Sequence, residues 1–258
     1  MGDKNMIDGK NTTVEWQKHK TDILVLPVGA MEQHGPALPL NTDQVIAEYV
    51  ARIVAEHFNA ALLPCIAVAN SLEHTGFRGT FSLRPETLMR VIRDIADEAE
   101  SQGFRFMLLI NAHGGNFVLG PVCRDINRSD RRIKLILHQA FNFADPSQLE
   151  TVNKGMMDMH AGESETSILM AVEGKKRKTC KSAGNESLFR QDDLNTFGIA
   201  HLNRNGVPGH PELASLEKGI HLCETMKKPM IEDLEKRISY LRKHNAYAGQ
   251  AVCEIVKT

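Results

Sequence analysis

Three short stretches concentrate the residues that could do chemistry. The run from Leu24 to Asp43 carries Glu32, His34 and Asp43 in a loop punctuated by Gly35, Pro36 and Pro39. Asn111-Ala112-His113-Gly114-Gly115-Asn116 sets one histidine among glycines and asparagines. The run from Asp158 to Ser167 adds His160, Glu163 and Glu165. Mixed carboxylate and imidazole ligands suit Zn²⁺, Mn²⁺ or Fe²⁺ and disfavour Ca²⁺, which takes oxygen ligands. Glu32, His34, Asp43 and His113 are therefore candidate metal ligands. A carboxylate can bridge two cations, and two metals about 3.5–4 Å apart would share one nucleophilic water and polarise a carbonyl. His160 can protonate a leaving nitrogen or oxygen, and the acids beside it can complete a coordination shell or orient a partner.

Plainer readings exist for each piece. A single histidine in a Gly-rich turn needs no ligand, and acidic residues in the first turn of a helix suit the helix dipole without any function. The combination of Glu32-Gln33-His34 with His113 is what favours a metal. A fourth stretch, Asn70 to Arg84, holds Ser71, Glu73, His74, Gly79 and Thr80. A run this long without periodicity inside a compact domain is usually functional. Ser71, His74, Gly79 and Thr80 are candidate substrate-binding residues. There is no Gly-x-Ser-x-Gly elbow, no phosphate-binding G-x-x-x-x-G-K-[ST] loop and no G-x-G-x-x-G after a strand, so serine-hydrolase and nucleotide readings lack support.

These stretches need a scaffold, and the flanking pattern supplies one. Ile23 to Val28, Ala61 to Val68, Phe106 to Ile110 and Ile133 to Leu137 read as short buried strands. Between them lie helical patterns: one from Asn41 or Thr42 to about His57, one from Pro85 stopped by Gly103, and one from Val118 to about Asn127. Alternation of this kind predicts a parallel sheet with helices on both faces. Ligands in such sheets bind beyond the carboxyl ends of the strands, so the loops after the first and third strands should bring Glu32, His34 and Asp43 to His113. The second half is less regular. A helix is expected from Gly162 to Val172, an irregular stretch from Asn185 to Pro211, and a helix from Leu216 to about His244 interrupted near Pro229. Residues 1–12 are expected to be flexible, with a helical turn following around Trp16.

The 258 residues fit one α/β domain. A net charge of −1 argues against a general polyanion binder, and the basic run Lys175 to Lys178 reads as a solvated loop. Nucleic acid is therefore not an expected partner. Five scattered cysteines with no CxxC pair read as reduced thiols. No apolar run approaches the ~20 residues of a membrane span, and the N-terminus lacks a signal-like apolar core. A cytoplasmic protein with a small-molecule substrate is the expectation.

The chain resembles the creatininase (creatinine amidohydrolase) family. The resemblance rests on Glu32-Gln33-His34-Gly35-Pro36, Leu38-Pro39-Leu40-Asn41-Thr42-Asp43, Gly79-Thr80-Phe81-Ser82-Leu83, the Asn111–Asn116 run and His160-Ala161-Gly162-Glu163-Ser164-Glu165-Thr166-Ser167. These motifs stand in the family's order from about residue 24 to 219. The resemblance implies a three-layer α/β/α sandwich around a parallel-rich sheet, assembled as a homo-oligomer, usually a hexamer. It implies two divalent ions per chain, Zn²⁺ first and Mn²⁺ or Fe²⁺ as alternatives, activating water against a carbonyl carbon. By position, Glu32 and His113 would bind one metal, His34 the other, and Asp43 would bridge them. His160 and Glu165 match residues assigned to proton transfer and to ordering the site. Creatininases carry a glutamate at the position of Gly115, where it binds the second metal, and lack the acid at the position of Glu163. Glu163 is therefore expected to be the second metal's ligand here, and the same departure points away from creatinine as substrate. The expected reaction is hydrolysis of a small, cyclic amide or related C–N bond. Within the resemblance, cleavage of a C–C bond in a cyclic diketone is an alternative. A non-catalytic metal-binding protein on the same scaffold is another.

Overall fold

Five parallel strands form the centre of the computed structural model, which describes residues 6–142, 145–183 and 191–244. They are β1 (Ile7–Asp8), β2 (Ile23–Val28), β3 (Ala61–Leu62), β4 (Phe106–Asn111) and β5 (Lys134–Gln139), in the order β1-β3-β2-β4-β5. The helices are α1 (Thr13–Lys18), α2 (Thr42–Phe58), α3 (Pro85–Ser101), α4 (Leu119–Arg128), α5 (Glu150–Asn153), α6 (Glu163–Glu173), α7 (Ile199–Leu202) and α8 (Leu216–His244). The fold is α/β, with helices on both faces of the sheet.

Every residue of β2 and of β4 is buried, which is why these strands read as continuous apolar runs rather than alternating ones. Successive side chains point to opposite faces. Val25, Leu108 and Ile136 join α2, α6 and α8 in one core. Leu26, Leu109 and Leu135 join α3, α4 and Trp16 of α1 in the other.

From β2 the chain passes to β3 on one side and then crosses to β4 on the other. The carboxyl ends of β2 and β4 thus flank the topological switch point, where this kind of sheet opens a crevice. Gly29 ends β2 tightly. A Cβ there would lie 2.7 Å from the backbone N and Cα of Gln44, so only glycine lets the first turn of α2 close over the strand end.

Several elements depart from the sequence expectation. Within the stretch expected to be flexible, Ile7 and Asp8 pair with Ala61 and Leu62 as an edge strand, and Met6 is buried. Residues 1–5 lie outside the described residues. The strand expected from Ala61 to Val68 stops at Leu62, because Pro64 has no N–H to give the ladder. The chain still follows β2, with Ile66 N–H donating to Pro27 O at 3.0 Å. Helix α8 runs through Pro229 without a break. Its apolar stripe of Leu222, Met226, Met230 and Leu234 stays buried across the proline, so packing outweighs the one lost backbone hydrogen bond. Arg177 of the basic run is paired at 2.6–2.7 Å with Glu173.

Candidate active site

The loops that follow β2, β3 and β4 and the start of α6 meet at the crevice. Asparagines bind them together. Asn116 Nδ2 donates to Gly29 O at 3.0 Å and to Asn111 Oδ1 at 2.9 Å, while its Oδ1 accepts Asn70 N–H at 3.0 Å. Asn111 Nδ2 donates to His113 O at 2.7 Å and to Gln139 on β5 at 2.7 Å. The Asn-Ala-His-Gly-Gly-Asn run therefore supplies one functional ring and two struts.

Inside this frame Glu32, His34 and Asp43 are almost wholly buried. His34 Nε2 stands 3.2 Å from Asp43 Oδ1 and 3.3 Å from Glu165 Oε1. Its other nitrogen donates to Glu32 O at 3.1 Å, which fixes the ring. His113 Nδ1 is 3.3 Å from Asp43 Oδ2, and its Nε2 is 3.0 Å from Glu32 Oε2 and donates to Asn70 O at 2.8 Å. His74 Nε2 and His160 Nδ1 face Glu32 Oε1 at 3.2 and 3.6 Å. Glu165 is aimed by its second oxygen, which accepts Ala161 N–H at 2.6 Å. Ala161 takes a left-handed φ of 50° to offer that N–H, a conformation that costs a non-glycine residue about 1 kcal/mol or more.

The charges are strongly coupled. Burial works to raise the Glu32 pKa, but the His113 and His74 rings overcome it and hold the carboxyl well below the usual range. Burial and the Glu32 charge push Asp43 up to about 7. Burial would lower His34 and His113, yet Glu165 and Asp43 hold the first, and Glu32 with Asp43 the second, well above the ordinary histidine value. Against burial, the His34 charge draws Glu165 down to about 2. Burial pushes His74 well down and His160 down.

The donor set fits divalent cations. Glu32 Oε1 and Oε2 and Asp43 Oδ2 are buried without a hydrogen bond of acceptable geometry, although imidazole nitrogens crowd them. Such oxygens are costly unless a charge compensates them. Glu32, Asp43 and His113 can hold one ion, and His34, Asp43 and Glu165 another, each set of ligand atoms lying within 4.8 Å. Nitrogen and oxygen ligands about 2.0–2.2 Å from a tetrahedral ion stand about 3.3–3.6 Å from one another, close to the nitrogen–oxygen separations around His34 and Asp43.

Glu163, expected as the second metal's ligand, lies outside this cluster. Its buried carboxylate accepts Glu150 N–H at 3.0 Å, Thr151 N–H at 2.8 Å and Lys218 Nζ at 2.5 Å. It ties α6 to α5 and α8. Ser71 and His74, expected as substrate contacts, are buried behind the carboxylates: Ser71 Oγ lies 3.4 Å from His113 Nε2. Thr80 Oγ1 accepts Gln33 N–H at 3.0 Å, and Gly79 packs on Leu40, so both buttress the first loop. Glu73 belongs to the same stretch but is not among the candidate substrate-binding residues. Its Oε1 is 3.3 Å from His113 Nε2, and a Cβ on Gly115 would come within 2.7 Å of its Cδ. Gly115 thus makes room for a carboxylate from the neighbouring loop, and glycine beside the histidine was the available signal.

Comparison with known proteins agrees with this geometry. The family model described as "Creatininase: Creatinine amidohydrolase" matches residues 10–234. The chain belongs to the creatininase family. A mycofactocin precursor peptide peptidase of Mycobacterium ulcerans is 29% identical over 229 residues, covering 84% of each chain. A creatinine amidohydrolase of Pseudomonas putida is 30% identical over 166 residues, 58% of this chain and 64% of that one. A solved structure described as "Creatininase Mn" superposes with a TM-score of 0.76 at 23% identity, covering 90% of this chain and 98% of that one. This creatininase-family chain is accordingly a hydrolase by kinship, on the family's fold.

Proposed function

We propose that the chain is a dinuclear metal-dependent hydrolase of an amide or related C–N bond in a small substrate. The observation that carries this reading is the pair of buried, under-satisfied carboxylates: Glu32 faces the His113 and His74 rings from two other loops, and Asp43 faces His34 of its own stretch and His113. Glu32, Asp43 and His113 would hold one ion, and His34, Asp43 and Glu165 the other, with Asp43 shared. When bound, the ions, Zn²⁺ first and Mn²⁺ or Fe²⁺ as alternatives, would activate water and polarise the substrate carbonyl. His160 has its Nε2 engaged with Gln33 O at 2.8 Å, so the bare Nδ1 is the atom that takes a proton from water and passes it to the leaving nitrogen. The crevice walls exclude bulk water, since nearly every ligand atom is buried.

The names of these two relatives, a peptide peptidase and an amidohydrolase, both denote C–N hydrolysis, which supports that bond. A homo-oligomer, the hexamer of the resemblance, belongs to the same reading. Leu72, Phe81 and Phe117 are exposed apolar side chains on the loops after β3 and β4. Hydrolysis of creatinine, N-formyl amines, short peptides and a cyclic diketone, before and after chelation and with Zn²⁺ or Mn²⁺ restored, tests the function. Chelator-sensitive cleavage of a C–N substrate is expected. Activity that survives complete chelation would contradict it.

A further inference from the structure

Gln33 lies between the two ligands of the Glu-Gln-His run, is 5% exposed, and touches four separate segments. Its Oε1 accepts Gly35 N–H at 2.9 Å and its Nε2 donates to Gly206 O at 2.9 Å. A backbone N–H can only donate and a carbonyl can only accept, so these two partners fix which end of the amide is which. The remaining Nε2 proton points to His74 Nδ1, 2.9 Å away. That ring nitrogen must therefore be the acceptor.

A neutral imidazole carries one proton. With Nδ1 of His74 accepting, the proton is on Nε2, the atom that faces Glu32 Oε1 at 3.2 Å. The backbone of Gln33 does the same for a second ring. His160 Nε2 is 2.8 Å from Gln33 O, a pure acceptor, so Nε2 bears a proton, and in the neutral ring Nδ1 is the free nitrogen. The amide nitrogen's 3.2 Å approach to that Nε2 adds no bond, because both amide protons are already placed. Thr80 holds the Gln33 peptide from behind at 3.0 Å.

We infer that Gln33 is a positioning residue that sets the tautomers of two histidines at once, through its amide for His74 and its carbonyl for His160. It turns a proton toward the Glu32 carboxylate and a lone pair into the crevice, and does so without adding charge. The consequence for turnover rests on the hydrolase reading; the tautomers themselves do not.

The test is two-bond ¹H–¹⁵N correlation of the full chain, ¹⁵N-labelled at histidine, with Zn²⁺ added and no substrate. His74 and His160 are both expected as neutral Nε2–H tautomers. In Gln33→Glu the carboxylate accepts instead of donating, so His74 is expected to gain a proton on Nδ1, while His160, held by the backbone, keeps its pattern. Turnover should fall about 10–100-fold, as for other residues that orient a working side chain, with KM changed far less than kcat. If Gln33→Glu does not fold, Gln33→Met removes the donor and should leave His74 as a tautomer mixture. A wild-type His74 protonated on Nδ1, or a His74 pattern unmoved in a folded variant, would overturn the inference. Loss of activity on every substrate with the tautomers as stated would instead count against the hydrolase reading alone.

Discussion

Glu163 and Glu165 stand two residues apart in the first turn of α6 and do opposite jobs. At about 100° per residue, side chains two apart leave a helix about 200° from each other, so only one can face the cluster. Glu165 does, at 3.3 Å from His34, and Glu163 is held on the far side by Thr151 and Lys218. Glu165→Gln should lower bound metal by about one ion per chain in elemental analysis, with little effect on folding. Glu163→Gln should keep its metal and lose about 2–4 kcal/mol in urea unfolding, since it leaves Lys218 without its buried partner. A Glu163 variant that loses metal while unfolding like the wild type would reverse the assignment. The sequence placed both acids near the site through the His-Ala-Gly-Glu-Ser-Glu run; the family comparison favoured Glu163 as the ligand, whereas the structure brings Glu165 to His34. The two-residue spacing on one helix was the signal that would have separated them.

At the scale of elements, the strands most legible in the sequence were those buried on both faces. Ile23 to Val28 needed no correction, because six apolar residues bounded by Gly29 leave little choice. The two-residue strand Ile7–Asp8 carries no periodicity, so only its tertiary pairing with Ala61 and Leu62 reveals it. Pro64 and Pro229 were each visible, yet one ends a strand and the other fails to end a helix. The difference is the buried stripe on α8, which no local rule contains. Two predictions belong here. Gly29→Ala forces a Cβ against Gln44 backbone and should cost about 1–3 kcal/mol, displacing Asp43 and weakening metal affinity in a titration. His138 on β5 is pushed below the ordinary histidine pKa by burial, partly offset by Asp233. Its unfolded form takes up a proton below about pH 6.5 that its folded form resists, so its contribution to stability is lost as pH falls. His138→Gln should therefore gain relative to wild type in urea unfolding on going from pH 7 to pH 5.5. A difference independent of pH would count against that.

Across the whole molecule, the sheet order explains why distant stretches of sequence share one site. The crossing from β3 to β4 opens the crevice between β2 and β4, and the loops after both strands fall into it. Helix α6 reaches the same place by packing on α8 and α2. The family's fold is thus the means of bringing Glu32, His34, Asp43, His113 and Glu165 together from three segments. Their identities were readable from the sequence. The buttressing roles of Ser71, His74, Thr80 and Gln33 were not, because they depend on which side of the first loop each segment approaches. Among the described residues no helix is long and apolar enough to cross a membrane.

The most direct measurement is the number of divalent ions per chain, by elemental analysis of protein exposed to Zn²⁺ or Mn²⁺ and then freed of excess by gel filtration. Two ions per chain are expected, with a marked loss in Asp43→Asn, which removes the shared carboxylate. Wild-type protein that retains neither metal would contradict a dinuclear site.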